Sequence, residues 1–142
     1  MSSALHHPAT DAEILATYDV MHHLRPALTR ETYVARIRQL MASDNFRLTA
    51  VIDDGQVRAV AGWRVLDMLY CGKFLSVDDL VSDPDARSKG HGKALLDWLK
   101  DEARRQGCGH LELISNVVRE RAHAFYFREG LAVDAFHFRV KV

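Results

Sequence analysis

Residues 81–96 have the sequence Val-Ser-Asp-Pro-Asp-Ala-Arg-Ser-Lys-Gly-His-Gly-Lys-Ala-Leu-Leu. The apolar run over residues 74–81 predicts a strand, and the apolar spacing that follows the loop predicts an amphipathic helix. Between them lie a proline turn and a basic loop that contains Gly90 and Gly92. A glycine loop at a helix start leaves the N–H groups of the first helical turn pointing at an anion. The stretch therefore predicts a phosphate-binding loop.

Three cations lie at the positive end of the predicted helix: Arg87, Lys89 and Lys93. Cations are disfavoured there by ~0.3–1 kcal/mol each, so a helix selected for stability alone would carry Asp or Glu. The cations and glycines together indicate that a polyanion binds this turn; the alternative is a solvated basic turn that happens to contain glycine. The loop is neither a Walker loop nor the dinucleotide fingerprint, since Leu95 stands where the latter requires Gly or Ala.

Length and charge are those of one globular domain. The chain has 142 residues and a formal net charge of zero, which is enough chain for a core and gives no basic field for nucleic acid or a membrane surface. No apolar run approaches the ~20 residues that span a bilayer, and the N-terminus lacks the apolar centre of a signal peptide. We expect a single domain over residues 1–142, located in the cytoplasm, without nucleic-acid or membrane partners.

Cysteines and histidines show no metal-binding pattern. Cys71 and Cys108 have no paired spacing and are expected to be free thiols. The eight histidines include two adjacent pairs, at positions 6–7 and 22–23, but no His-x-x-x-His. Because adjacent side chains point apart on a helix or strand, we expect no metal.

The hydrophobic pattern predicts the order (β)ααβββαβαβ. Asp11 is expected to cap a first helix that runs to about His23, and Arg25-Pro26 ends it. The remaining elements are predicted as a helix over 29–42, strands over 46–52, 57–66 and 73–81, a helix over 90–106, a strand over 110–115, a helix over 118–129 and a last strand over 136–142. This order indicates an α/β protein with a mixed sheet, whose strands on either side of the glycine-loop helix are parallel.

A second motif follows the loop by about 35 residues: Ala-Phe-Tyr-Phe-Arg-Glu-Gly-Leu over residues 124–131. The pattern Arg87-x-x-Gly90-x-Gly92 resembles the acetyl-coenzyme-A loop of the GNAT acetyltransferases. The second motif is similar to that family's Ala-x-x-Phe-Tyr-x-x-x-Gly-Phe signature, with the first Ala shifted by one residue and Leu131 in place of the usual Phe. The element order matches over essentially the whole chain, so the sequence resembles a small bacterial-type GNAT domain.

The resemblance implies a mostly antiparallel sheet with a central splayed parallel strand pair and helices on both faces. It also implies acetyl transfer from acetyl-coenzyme A to an amine of a small molecule, protein or peptide, without a metal, by a monomer or homodimer. In the family, the pantetheine arm lies in the gap between the splayed strands, and the N–H of Leu80 is the expected oxyanion donor. The implied coenzyme-A contacts are Leu80, Val81, Ser82, Arg87, Ser88, Lys89, Gly90, His91, Gly92, Lys93, Asn116 and Tyr126.

Three side chains are candidates for the proton transfers of this chemistry. Tyr126 is the candidate general acid, because a phenol with pKa ~10 is protonated at neutral pH; the alternative is a core tyrosine. Asp78 and Asp79 are candidates for the base. Neighbours on a regular strand point to opposite faces, so at most one would face the acetyl group, and the resemblance favours Asp78. The alternative is that one Asp holds a cationic substrate or a helix end.

Two other functions remain open from the sequence. One is a non-catalytic acyl-coenzyme-A-binding regulatory module, which would share the loop but would not need Tyr126 or the acidic strand. The other is a nucleotide-phosphate binder, which is disfavoured because no acidic residue is placed to hold Mg²⁺ near the loop. Arg25 and Arg119 are either binders of an anionic acceptor group or ordinary surface arginines. The N-terminal helices and residues 67–72 are expected to determine the acceptor.

Overall fold

A computed structural model describes residues 3–87 and 89–142 of the chain. Ser88, one of the expected coenzyme-A contacts, lies outside the described residues. The chain divides into two compact units, Met1–Glu112 and Leu113–Val142.

The helices and strands follow the predicted order up to the last helix, except that the predicted first helix is divided into two. They are β1 (Ala4–His6), α1 (Asp11–Leu15), α2 (Tyr18–Leu24), α3 (Arg30–Ser43), β2 (Arg47–Asp53), β3 (Gln56–Met68), β4 (Gly72–Ser82), α4 (His91–Arg105), β5 (Leu111–Leu113) and α5 (Glu120–Arg128). A short 3-10 turn, Pro84–Ala86, joins β4 to the glycine loop.

The five strands form one mixed sheet in the order β1-β2-β3-β4-β5. The first four pair antiparallel with their neighbours, and β5 lies parallel to β4. Helices flank the sheet: α2 packs on β3 and β4, and α4 packs on β2, β3 and β4. The predicted mixed, mostly antiparallel α/β fold with a parallel pair around the glycine-loop helix is confirmed.

The start of the first helix differs from the prediction in two ways. Thr10, not Asp11, is the N-cap: its hydroxyl accepts from the Glu13 N–H at 3.1 Å, and the Glu13 carboxylate accepts from the Thr10 N–H at 3.0 Å. The predicted single helix is also two helices, because the Thr17 hydroxyl donates to the Ile14 carbonyl at 2.7 Å. A threonine that bonds to its own backbone competes with helical hydrogen bonding and favours an interruption.

The core of the first unit joins the N-terminal helices to the sheet. Ile14 and Tyr33 are fully buried, and Ile37 is nearly so. On α4, the predicted inward residues Leu95, Leu96, Leu99 and Ala103 are all buried. Both helical layers are therefore held by the apolar faces that the sequence pattern indicated.

The second unit differs from the prediction at its end. Residues 131–142 contain no strand, so the predicted strand over 136–142 is wrong, and Phe136 and Phe138 are 85% and 89% exposed. Alternating apolar and basic residues would give a strand one apolar and one basic face. A strand forms, however, only where another strand pairs with its backbone through hydrogen bonds.

Candidate functional site

The glycine loop is anchored to the sheet at its first residue. Asp83 Oδ1 accepts from the Asp85 N–H at 3.0 Å, and Asp83 Oδ2 accepts from Arg58 at 2.9 Å. The Asp85 N–H and, secondarily, the Arg58 guanidinium hold the pKa of Asp83 below its usual range against the opposing effect of burial. The Asp83 N–H also donates to the Arg58 carbonyl at 2.7 Å. The chain therefore leaves β4 in a fixed direction.

Gly90 forms the N-cap of α4 with a φ of +80°, a left-handed conformation that favours glycine. Within the described residues, no side chain caps this helix, and its first turn contains no acidic residue. Arg87 and Lys89 are exposed before it, and Gly92 and Lys93 lie in its first turn. The helix start therefore combines positive charge with backbone N–H groups that no described side chain caps, and its binding of an anion stays a prediction.

His91 connects this helix start to the sheet. It is only 5% exposed, and its Nε2 lies 3.1 Å from Asp53 Oδ2 on β2. His91 was expected to contact coenzyme A; the structure places its side chain inward, so any such contact belongs to its backbone.

The end of β4 extends beyond its parallel neighbour. The Leu75 N–H donates to the His110 carbonyl at 3.1 Å, so β5 pairs with the first half of β4. Since β4 has 11 residues and β5 has 3, Leu80–Ser82 lie past the end of β5. Opposite, Leu80 pairs with Ala61 and Ser82 with Ala59 on β3. One edge of Leu80–Ser82 therefore lies beyond the backbone pairing of β4 with β5.

The two candidate bases, Asp78 and Asp79, lie at a β-bulge in β4. Gly62 pairs with Asp79 and Trp63 pairs with Val77, so Asp78 is an extra residue on β4. A bulge locally disrupts the ladder and redirects side chains. The alternation that the sequence analysis assumed for these two aspartates therefore does not hold here.

Each aspartate contacts a different arginine. Asp79 Oδ1 accepts from Arg25 Nε at 2.8 Å, and its side chain is 14% exposed. Asp78 accepts from Arg64 through both carboxylate oxygens, at 2.8 and 3.1 Å. Burial raises the pKa of Asp79, and Arg25 opposes that shift without cancelling it. Arg25 also donates to the Asp78 carbonyl at 2.9 Å, so this arginine is bound to β4.

Asp79 faces a cavity of about 470 Å³ between the N-terminal helices and the sheet. Its lining is mostly apolar, with Asp79, Arg25, Arg36 and Tyr33 as its ionisable groups; the other lining residues are Met21, Leu24, Pro26, Ala27, Leu28, Ile37, Leu40 and Phe46. Burial, with a further contribution from the Asp79 charge, raises the pKa of Tyr33 to about 12, against the opposing effect of its hydrogen bond with Thr17. Tyr33 therefore remains a neutral wall of the cavity at physiological pH.

Gly62 makes room for the Asp79 carboxylate, and the sequence analysis missed it. A Cβ at Gly62 would lie 2.5 Å from Asp79 Oδ2 and closer still to the Phe46 ring. Gly62 also sits opposite Asp79 in the ladder. The signal was present in the sequence, because a glycine inside a strand pattern indicates a bulge or a close approach. Arg64 and Arg36 were missed as well, and no local pattern marks them.

The second unit holds the other predicted site residues. Tyr126 on α5 is 9% exposed, and burial raises its pKa while Arg119 opposes the shift. Asn116 is exposed, and its Oδ1 accepts from the Val118 N–H at 3.0 Å, shaping the turn before α5. Gly130 ends the motif with a φ of +90°. Because the pKa of Tyr126 is raised, its phenol is protonated at neutral pH.

The described residues offer neither a metal-ligand cluster nor a membrane-spanning helix. Within residues 3–87 and 89–142, no three His, Cys, Asp or Glu side chains are grouped so that they could hold a metal ion. Of the helices in the same ranges, none is both long and apolar enough to cross a membrane.

Comparison with known proteins gives consistent matches. The sequence profile of the Acetyltransferase (GNAT) family matches residues 14–131. The chain is 35% identical over 127 residues to an uncharacterised N-acetyltransferase of Bacillus subtilis, with 89% of each chain covered. It is 40% identical over 62 residues to the aminoalkylphosphonate N-acetyltransferase of Salmonella typhimurium, covering 44% of this chain and 40% of that one. The crystal structure of a Trypanosoma brucei acetyltransferase superimposes with a TM-score of 0.80 at 21% identity, covering 99% of this chain and all of that one.

Proposed function

Because this chain belongs to the GNAT acetyltransferase family, we propose that it transfers the acetyl group of acetyl-coenzyme A to the amine of a small molecule that carries an anionic group. The observation that carries the proposal is the order of features along β4 and its loop. Three features follow one another between Asp79 and Lys93: a buried carboxylate, the part of β4 that extends beyond β5, and a helix start that carries positive charge. Bound acetyl-coenzyme A supplies the activated acetyl thioester.

The glycine loop and the end of β4 hold the coenzyme in this proposal. Backbone N–H groups at the start of α4, with Arg87 and Lys89, bind the pyrophosphate. Leu80–Ser82 bind the pantetheine arm along the available edge of β4. The Leu80 N–H donates to the thioester oxygen as negative charge develops there, which is the role of an oxyanion donor.

Asp79, rather than Asp78, is the base. A base for an amine needs a pKa above that of an ordinary aspartate, and burial raises the pKa of Asp79. Asp79 also lines the cavity. Asp78 has both carboxylate oxygens bonded to Arg64 and is not among the cavity residues. We therefore assign Asp78 the role of positioning the bulge.

The cavity suits an acceptor with an apolar body, an amine and an anion. The amine lies against the Asp79 carboxylate, and the apolar lining contacts the carbon chain. The anion pairs with the exposed Arg36 at the cavity wall. The Salmonella relative supports this class, since its name gives an aminoalkylphosphonate as the substrate.

The proton balance of the transfer uses two residues. The amine gives a proton to Asp79 as its nitrogen bonds to the acetyl carbon, and the carbon–sulfur bond breaks. The departing thiolate takes a proton from the Tyr126 phenol, which burial keeps protonated. Asp79 then loses its proton to solvent and the Tyr126 phenolate takes one from solvent, which restores both groups. The role of Tyr126 rests on the resemblance of its motif and on its burial, whereas the role of Asp79 rests on its burial and on its place in the cavity.

A panel of matched amines tests the proposal through the release of coenzyme A from acetyl-coenzyme A. Propylamine, beta-alanine and 2-aminoethylphosphonate present similar chains with no anion, a carboxylate and a phosphonate. A charge-assisted hydrogen bond is worth ~1.5–3 kcal/mol, so we expect kcat/KM to be about 10- to 100-fold higher for the anionic amines. In Arg36→Gln, that preference should fall while turnover of propylamine stays the same.

Two outcomes would overturn parts of the proposal. Equal kcat/KM for the three amines would refute the anionic acceptor while leaving acetyl transfer intact. Tight binding of coenzyme A with no turnover of any amine would favour the alternative function, a non-catalytic acyl-coenzyme-A-binding module.

A further inference from the structure

Two side-chain hydrogen bonds join the glycine loop to the end of a single hairpin, which β2 and β3 form around the turn Asp54-Gly55. His91, the first residue of α4, has its Nε2 3.1 Å from Asp53 Oδ2 on β2. Arg58 on β3 donates to Asp83 Oδ2 at 2.9 Å. Since Asp83 precedes the loop and His91 follows it, the hairpin holds both ends of the loop.

The end of this hairpin has a defined geometry. Asp54 and Gly55 have φ values of +53° and +74°, and the favoured two-residue hairpin turn requires positive φ at both positions. The pairing of β2 with β3 passes over Arg58, which is the extra residue of a β-bulge. A bulge redirects side chains, and here the backbone of Arg58 also accepts from the Asp83 N–H at 2.7 Å. Both anchors therefore start from a fixed backbone.

The two bonds are partly shielded from water. The four side chains that form them are between 5% and 26% exposed. Partly buried pairs are screened much less than exposed ones, whereas an exposed ion pair contributes little. The pair of Arg104 and Asp101 on α4 is of the exposed kind, at 70% and 59%. We therefore expect the two anchors, but not this pair, to restrain the backbone.

We propose that Asp53 and Arg58 are positioning residues for coenzyme A, which hold the glycine loop in the conformation that binds the pyrophosphate. Asp53 acts through His91, and Arg58 acts through Asp83. The proposal rests on the proposed function, because it takes the coenzyme as the ligand of this loop. Pre-organising a binding loop raises affinity by removing the cost of ordering it.

The charge of Asp53 makes positioning distinguishable from electrostatics. A carboxylate near the helix start repels a pyrophosphate, so Coulomb's law alone predicts that coenzyme A binds more tightly when the carboxylate is removed. Positioning predicts the opposite sign. A loop that holds its binding conformation for only about a tenth of the time binds its ligand ~10-fold more weakly.

The bond between His91 and Asp53 can be rebuilt with other side chains. An ionised carboxylate only accepts, so His91 Nε2 donates. His91 Nδ1 has no hydrogen-bond partner among the residues that the structure describes, so a replacement needs to supply the Nε2 donor alone. The amide nitrogen of Gln can do so in His91→Gln, whereas His91→Leu has no donor. Likewise, Asp53→Asn keeps an acceptor oxygen and Asp53→Ala does not.

Isothermal titration calorimetry with coenzyme A tests the first anchor without any acceptor. We expect Asp53→Ala and His91→Leu to raise the dissociation constant by ~10-fold or more, and Asp53→Asn and His91→Gln to stay closer to the wild type. Asp101→Ala is the matched control, because it removes the same charge from an exposed pair on α4, and it should bind as the wild type does. Unchanged or tighter binding in Asp53→Ala would overturn the proposal.

A truncated donor tests the second anchor and separates positioning from a general loss of structure. In Arg58→Met/Asp83→Asn both charges of the pair are absent, and the Asn oxygen can still accept from the Asp85 N–H. S-acetyl-pantetheine has no pyrophosphate. We expect kcat/KM to fall ~10-fold for acetyl-coenzyme A and to change little for S-acetyl-pantetheine. An equal fall for both donors would refute the role of Arg58.

Failure of the proposed function would look different. A wild type that binds coenzyme A but acetylates no amine would refute acetyl transfer, and the calorimetry would still decide whether Asp53 positions the loop. A wild type that does not bind coenzyme A would overturn both proposals.

Discussion

Arg25 Nε donates a hydrogen bond to Asp79 Oδ1 at 2.8 Å, which joins the end of α2 to β4 across 54 positions of sequence. The same guanidinium donates to the Asp78 carbonyl at 2.9 Å, so Arg25 contacts the bulge at the side chain of Asp79 and at the backbone of Asp78. The arginine lowers the pKa of Asp79 while burial raises it, and burial prevails. Arg25 thereby tunes the carboxylate that we propose as the base.

Replacing Arg25 should move the acid limb of the pH–rate profile. Arg25 lowers the pKa of Asp79, so Arg25→Gln raises it further and the carboxylate becomes protonated at higher pH. The acid limb of kcat/KM should therefore shift to higher pH. Arg64→Gln is the control, since Arg64 is the smaller influence on Asp79, and its limb should shift less. A shift to lower pH in Arg25→Gln would contradict the assignment of Asp79.

The Asp79→Asn substitution should remove the base while keeping the shape of the side chain. We expect kcat to fall by ~10²–10⁴-fold, the range for a lost general base, with little change in coenzyme-A affinity. Asp78→Asn, which loses the paired bonds to Arg64, should retain more of its kcat. Steady-state kinetics and calorimetry measure both quantities. If Asp78→Asn lost more activity than Asp79→Asn, the roles of the two aspartates would be reversed.

The Gly62→Ala substitution should destabilise the protein and displace the base. The new Cβ would meet Asp79 Oδ2 at 2.5 Å and the Phe46 ring, and overpacking of this kind costs ~1–3 kcal/mol. Gly109→Ala is matched, because its Cβ would meet its nearest neighbour, the Lys73 carbonyl, at an ordinary 3.9 Å. Urea unfolding should separate the two variants. Equal free energies of unfolding would mean that the side chains of Phe46 and Asp79 move aside without destabilising the protein.

Two substitutions at Gly90 separate charge from backbone conformation in the loop. Gly90 has a φ of +80° with open space around its Cβ position, and Asn and Asp both tolerate that conformation. Gly90→Asn should bind coenzyme A with modest loss, whereas Gly90→Asp adds a negative charge at the helix start and should abolish binding. Isothermal titration calorimetry on the folded variants measures this difference. Comparable affinities in both variants would place the pyrophosphate elsewhere.

The Tyr126→Phe substitution distinguishes an acid from a core residue. It removes one oxygen and keeps the buried ring, so packing should change little. If Tyr126 protonates the thiolate, kcat should fall by ~10²-fold or more while acetyl-coenzyme-A affinity stays close to that of the wild type. The assay must be limited by chemistry, which a viscosity control establishes. An unchanged kcat under that condition would leave Tyr126 a packing residue.

The glycine loop, the helix that follows it and the order of the first five strands along the chain were predictable from the sequence. Their signals are local: Gly90 marks a left-handed cap, and the apolar spacing from Leu95 to Ala103 marks the buried face of α4. Local signals also left ambiguities of position, since Thr10 and Asp11 are both good caps and only the reciprocal bonds of Glu13 select Thr10.

Tertiary structure alone decided which residues meet at the candidate site. The pairing of Arg25 with Asp79, the cavity at that carboxylate and the space that Gly62 provides all join positions far apart in sequence. Tertiary structure also decided against a strand over residues 136–142, although the alternation of their side chains predicts one. The physical reason is the same in both cases. Periodicity and capping depend on neighbours along the chain, whereas hydrogen-bond partners, burial and pKa depend on what folding brings into contact.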